Sequence, residues 1–252
     1  MLCLLLLGDY LKYSIIIPTL NEEKLLANLL KQFKNNSILS KYDAEIIISD
    51  GGSTDNTLQI ANQFTNNILL KKTDEKQNIA GGRNVGAKIA NGKFLIFLCA
   101  DVIFEDINKF FDFLETKFVD SSYLGMTCNV KIFPEEERTS DKIFHLFLNN
   151  YFYSLNILGL GMGRGECQVI SKEIFEQFNG YNEELAAGED FDLFRRLRKK
   201  GKILHARNIL VYESPRRYRK YGYLSVFKDW FVNSFYVVLK NKSVSTEWEQ
   251  IR

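Results

Sequence analysis

Four separated clusters in this sequence hold residues able to do chemistry. Ile17-Pro-Thr-Leu-Asn-Glu-Glu23 and Ile48-Ser-Asp-Gly-Gly-Ser-Thr-Asp-Asn-Thr57 each close an apolar run. Ala80-Gly-Gly-Arg-Asn-Val-Gly86 is followed by Phe97-Leu-Cys-Ala-Asp101, and Gly188-Glu-Asp-Phe-Asp-Leu-Phe-Arg-Arg196 comes last. Carboxylates so placed accept protons or bind hard cations through oxygen. Gly81, Gly82 and Arg83 at a helix start suit phosphate oxygens. The triphosphatase pattern G-x-x-x-x-G-K-[ST] is absent, and G-x-G-x-x-G does not follow the first apolar run, which disfavours a Walker-type triphosphatase and a Rossmann oxidoreductase. His145 and His205 stand far apart with no metal-ligand spacing, so structural or surface roles are expected for both.

The elements that must position these clusters alternate. Tyr13–Pro18 and Ala44–Ser49 read as buried strands, Asn67–Leu70 as a short third and Phe94–Leu98 as a fourth. Helical patterns lie between them: Glu22–Phe33 with Asn21 as its cap, about Asn56–Phe64, and about Asn84–Ala90. Strand and helix alternating at this spacing mean a parallel sheet with right-handed crossovers, whose ligands bind at the carboxyl ends of the strands. Those ends are Pro18–Glu22, Asp50–Ser53 and Cys99–Asp101. Further on, Ile107–Val119 reads as a helix, Leu124–Phe133 as a strand, and Lys142–Leu158 as an aromatic helix. A glycine cluster at Gly159–Gly165, a strand near Cys167–Ile170 and a helix opening at Glu189-Asp190 complete the pattern. No linker divides the chain.

Taken in order, the four clusters resemble the inverting glycosyltransferases of family 2, over roughly residues 13–215. The resemblance implies an α/β GT-A fold: a mostly parallel central sheet with helices on both faces, of the nucleotide-diphospho-sugar transferase type. Residues 13–215 would form that domain and 216–252 a basic, aromatic helical extension. It also implies transfer of a sugar from a UDP- or GDP-linked donor to a saccharide or lipid-linked acceptor hydroxyl. By position, Asp50 would accept an N–H of the base, and Pro18, Thr19, Asn21 and Glu22 would enclose the nucleoside. Gly82, Arg83, Ala100 and Asp101 would meet the diphosphate, with Asp101 holding Mn²⁺ or Mg²⁺. Asp190 would take the acceptor proton, with Glu189 beside it. The family's two aspartates at the fourth strand are reduced here to Cys99-Ala100-Asp101, and a thiol is a poor partner for hard ions. A histidine expected after the acidic pair is replaced by Glu213, near Arg216 and Arg217. No Q-x-x-R-W follows the pair, which fits one transfer per binding event. Two other readings stay open: a polyprenyl-phosphate sugar synthase, which needs no strong base, and a nucleotide-sugar-binding protein without turnover.

Composition bounds these readings. The 252 residues are 46% apolar and 25% charged, enough for one packed domain, and 33 basic against 31 acidic groups give no reason to invoke nucleic acid. Cys3, Cys99, Cys128 and Cys167 form no pair motif, which fits a reducing cytoplasm. Met1–Leu7 is too short for a signal peptide or a span and reads as a frayed or mis-started end. The neutral balance hides an asymmetry: residues 195–220 hold eleven Arg or Lys against Glu213 alone, a local +10. The aromatic run Tyr221–Leu239 follows at once. Together they fit a peripheral contact of residues 195–239 with the cytoplasmic face of a membrane; they also fit a helix packed on its own domain or in a homodimer.

Overall fold

Ile15–Ile17 and Ile46–Ile48 are apolar on both alternating faces, so neither can lie at a solvated sheet surface. The computed structural model, which describes residues 11–72, 78–245 and 251, places both in the interior of one mixed sheet. Met1–Leu7, with Cys3, lies outside the described residues. The order along the chain is β1 (Tyr13–Thr19), α1 (Leu26–Asn35), α2 (Ile38–Lys41), β2 (Ala44–Asp50), α3 (Thr57–Ala61), β3 (Ile68–Leu70), α4 (Ile79–Ile89) and β4 (Phe94–Leu98). Next come β5 (Val102–Phe104), α5 (Ile107–Phe113) with a wider π-turn over Leu114–Phe118, β6 (Tyr123–Ile132), α6 (Thr139–Ile157), β7 (Cys167–Ser171) and α7 (Lys172–Gln177). The chain continues with α8 (Glu189–Arg198), β8 (Lys202–Glu213), α9 (Arg216–Tyr221) and α10 (Tyr223–Lys240).

The strand order is β3-β2-β1-β4-β7-β6-β8-β5. β1 pairs in parallel with β2 on one side and β4 on the other, so the chain reverses its direction of growth at β1. β7 then enters antiparallel between β4 and β6, and β5 closes the far edge against β8. Helices cover both faces. Ile15 and Ile17 meet Leu26, Leu29 and Phe111 on one, while Ile16 and Ile47 meet Ala80, Ala87 and Phe194 on the other. The close fit of α4 on β1 explains its glycines: a Cβ on Gly86 would stand 2.5 Å from Ile16 Cγ2.

Two expected boundaries move. The helix assigned to Glu22–Phe33 begins four residues later, at Leu26, and Asn21 does not cap it. Asn21 sits at φ 55° and accepts the Thr54 N–H at 2.8 Å. The Glu22 N–H goes to Thr57 Oγ1 at 2.7 Å and that of Glu23 to Asp55 at 3.2 Å. The loop after β1 is thus tied to the loop after β2, and those bonds compete with helix. In contrast, α4 begins five residues before Asn84, because Asn78 caps it by accepting the Gly81 N–H at 2.8 Å. Gly81 and Gly82 are therefore inside the first turns of the helix.

Candidate active site

At the carboxyl ends of β1, β2 and β4 lies a cleft of about 660 Å³. Pro18, Thr19, Glu22, Gly82, Arg83, Ala100 and Asp101 line it, as do Glu189 and Asp190 from the start of α8. The sequence clusters, separated by up to 172 positions, converge there. Asn21 and Asp50 do not line it. Asp50 is 1% exposed. Its Oδ2 accepts the N–H groups of Gly52 and Ser53 at 2.9 and 2.8 Å, and its Oδ1 takes the hydroxyls of Thr19 and Ser53. The carboxylate therefore shapes the Gly51–Thr54 turn, while Ser49 and Gly51 on either side of it face the cleft.

The acidic pair is built by a bend. Gly188 at φ 82° turns the chain into α8, whose first turn holds Glu189, Asp190 and Asp192 and whose last holds Arg195, Arg196 and Arg198, as the helix dipole favours. Glu189 is tied to the fully buried Arg83, Nη1 donating to Oε1 at 2.8 Å. Arg83 Nη2 donates to Gly165 O at 2.8 Å, and its guanidinium lies 5.1 Å from the Tyr181 ring centre. The arginine assigned to phosphate is thus committed to Glu189 of the acidic pair. Asp190 accepts the Phe191 N–H at 2.7 Å. Burial, and then the charge of Glu189, push its carboxyl up to about 7 against the pull of Arg83.

Around Asp101 the carboxylates already have cationic partners. Asp101 pairs with Arg216 Nη2 at 3.0 Å, and the same guanidinium holds Glu22 through two bonds of 3.1 and 2.9 Å. Glu213, which stands where a histidine was expected, is occupied: Arg164 Nη2 donates to its Oε1 at 3.1 Å and Tyr218 Oη at 2.9 Å. Burial and the neighbouring Glu166 push Glu213 well above the usual carboxylate range. His145 is buried, its Nδ1 3.1 Å from Val130 O, and burial together with Arg164 pushes it down to about 4, a neutral structural group. His205, buried against Asn129, is pushed down to about 4 by the same two causes.

Sequence reasoning marked the glycine cluster but missed the cleft wall formed by Met162, Gly163 and Gly165 and its Arg164, Glu166 and Glu213 group. Its signal was the alternation of glycines at 159, 161, 163 and 165 with charges at 164 and 166, just before an apolar strand. Trp230, Asn233 and Ser234 of α10 also line the cleft, with Ile251. The basic window divides: Arg196, Arg198, Arg216 and Arg219 point to internal partners, whereas Lys199, Lys200, Lys202, Arg207 and Lys220 are exposed.

Residues 14–178 match the family model described as Glycosyl transferase family 2. The chain belongs to glycosyl transferase family 2. Among curated family relatives, it is 36% identical over 102 residues to the poly(ribitol-phosphate) beta-N-acetylglucosaminyltransferase TarS of Staphylococcus aureus, covering 39% of this chain and 17% of that protein. It is 40% identical over 92 residues to a PGL/p-HBAD biosynthesis glycosyltransferase of Mycobacterium tuberculosis, 35% of each chain. The matches thus span well under half of either relative. The fold is shared with the mannosyltransferase PcManGT of Pyrobaculum calidifontis in complex with GDP-Man and Mn²⁺ (TM-score 0.68, 15% identity, 96% of this chain and 66% of that one). Glucosyl-3-phosphoglycerate synthase of Mycobacterium tuberculosis, solved with Mn²⁺ and UDP, shares it too (TM-score 0.62, 16% identity, 89% and 78%). This confirms the GT-A fold expected from the four family 2 clusters.

The ion in those neighbours sets a test for this family 2 site. No group of three or more His, Cys, Asp or Glu suited to a metal occurs among the described residues. Cys99 is pushed well above its usual range by burial, so it stays a thiol, and its Sγ lies 3.3 Å from Gly165 O. Asp101 remains as a single carboxylate. The donor set fits an ion that draws its other oxygen ligands from a diphosphate and water.

Proposed function

We propose that this chain transfers a sugar from a nucleoside diphosphate donor to an acceptor hydroxyl with inversion, Asp190 serving as the base. The observation that carries the reading is Asp190 itself: a cleft-lining carboxylate at a helix start, with Glu189 and Arg83 beneath it and its proton affinity near neutrality. A base works best when its pKa lies near the working pH. The acceptor oxygen attacks the anomeric carbon as the bond to the diphosphate breaks, and its proton passes to Asp190. Single in-line displacement inverts the centre, so the base and the leaving group lie on opposite faces of the sugar.

The other residues bind and orient. Pro18, Thr19 and Glu22 enclose the nucleoside, together with the turn that Asp50 shapes and that Asn21 holds by accepting the Thr54 N–H. Gly82, Ala100 and Asp101 face the diphosphate, and Arg216 stands at its edge. Mn²⁺ or Mg²⁺ on Asp101, when bound, supplies positive charge against the leaving group. Saccharides and lipid-linked sugars are the acceptor classes, and one transfer occurs per encounter.

The test is consumption of labelled UDP- and GDP-sugars by wild type and Asp190→Asn, with manganese and mixed acceptor pools, followed by the anomeric configuration of the product. Inverted product from wild type, lost in Asp190→Asn, is expected. Full activity of the variant with a polyprenyl phosphate would mark a lipid-phosphate sugar synthase. Donor binding without consumption in any pool would mark a binding protein.

A further inference from the structure

Among the described residues, fifteen large apolar side chains are strongly exposed, and all but Leu70 and Ile89 fall within 143–160 or 224–244. On α6 and its C-cap, Ile143, Leu146 and Leu158 are 67, 66 and 73% exposed. On α10, Leu224, Phe231 and Leu239 are 86, 55 and 63% exposed. The α6 positions recur at i, i+3 and i+15, and those of α10 at i, i+7 and i+15, so each set forms one stripe. Both helices already bury their opposite faces, α6 through His145, Leu148 and Phe152 and α10 through Val226, Asn233 and Val237. Phe227 joins the stripes, its ring centre 5.7 Å from that of Phe147 and 5.9 Å from that of Tyr151. One continuous apolar surface results, well beyond the scattered apolar exposure of an ordinary soluble face.

Cations border it. Arg207 donates to Asn150 Oδ1 at 3.2 Å midway along the α6 stripe, and Lys228, Lys240 and Lys242 are exposed on and just beyond α10, against Asp229. No helix among the described residues is long and apolar enough to cross a membrane. We propose that the outer faces of α6 and α10 form a docking surface for a bilayer containing anionic lipid. The apolar side chains enter the headgroup boundary and the bordering cations meet lipid phosphates. A second copy of this chain is the poorer occupant, because a two-fold contact sets the same cationic surface on both sides. The same two helices wall the cleft from their inner faces through Phe152, Trp230 and Ser234, so docking brings the cleft beside the lipid surface.

The test is co-sedimentation of the full chain with phosphatidylcholine vesicles, with and without phosphatidylglycerol. The chain is expected to pellet with the anionic vesicles at low salt and to be released as salt rises. Two double variants, Leu146→Glu with Leu158→Glu and Phe231→Glu with Phe235→Glu, should each lower partitioning about tenfold or more at unchanged melting temperature. If either glutamate pair unfolds the protein, Lys228→Glu with Lys240→Glu must show the same loss. Three results overturn the proposal: no pelleting at low salt, wild-type pelleting of folded double variants, or a dimer that these variants dissociate while vesicles stay unbound.

Discussion

Asp190 and Glu189 are adjacent carboxylates in one cleft, and their surroundings divide their roles. Glu189 is held by Arg83, whereas among the described residues Asp190 accepts only the Phe191 N–H and carries the cost of burial beside a like charge. As a base it must be unprotonated, so kcat should rise with pH through about 7. Asp190→Asn should lower kcat by about 10²–10⁴-fold with donor affinity preserved, which single-turnover assays separate from binding. Glu189→Gln removes the raising charge and frees Arg83 for Asp190, so the acidic limb of the pH profile should move down. An unmoved limb would show that another group sets it. The pair was legible because a Gly-Glu-Asp start to an amphipathic helix is a local pattern. The bond from Arg216 to Glu22 was not: its partners lie 194 positions apart, and nothing local marks either as the other's counter-ion.

At the scale of elements, the loop from Gly159 to Gly165 decides where α8 can sit. Gly161 lies at φ 78°, and a Cβ there would stand 2.6 Å from the carbonyl of Phe194 and 2.8 Å from Arg195 Cα. Gly161→Ala should displace α8, costing about 1–3 kcal/mol in a urea melt and lowering kcat although the residue touches no reacting atom. A second junction ties α9 and α10 to α6. Buried Asp141 accepts from Arg219 Nη1 at 2.8 Å, Tyr223 Oη at 2.7 Å and the Arg138 N–H at 2.8 Å. Burial raises its carboxyl, but these donors outweigh that and hold it at about 2. Since its folded value lies below the unfolded one near 3.8, its stabilisation is full above that pH and is lost as pH falls towards 2. Asp141→Asn should cost about 2 kcal/mol at neutral pH, the partly exposed Arg219 limiting the loss, and the difference from wild type should shrink below pH 4. Such a junction has no sequence signature. Strand and helix types did, through periodicity, while helix starts depended on which group a side-chain carbonyl accepted from: Asn78 Oδ1 takes the Gly81 N–H of its own helix, and Asn21 Oδ1 takes the Thr54 N–H of another loop.

For the whole molecule, the parallel half of the sheet was readable from alternation, because each crossover is a local unit. The antiparallel insertion of β7 and the closure of β5 on β8 were not, since neither follows from a strand-helix-strand crossover unit. The same convergence governs charge. The chain is near neutral, yet eight carboxylates and only four arginines line the cleft. Each arginine with a described partner already serves a carboxylate there, so an entering diphosphate meets a surface of its own sign. Positive charge must arrive with it or be released to it. A nucleoside diphosphate should therefore stabilise the protein weakly in EDTA and strongly with Mn²⁺. At a hundredfold excess over Kd, binding is worth about 2.7 kcal/mol, a melting rise of a few degrees for a chain of this size. Asp101→Ala should abolish the manganese-dependent part of the rise and leave the EDTA part in place. Equal shifts with and without the ion would reverse the assignment: the cation at the diphosphate would then be the Arg216 guanidinium, released from Asp101, and the lone aspartate after β4 would be its anchor instead of a metal ligand.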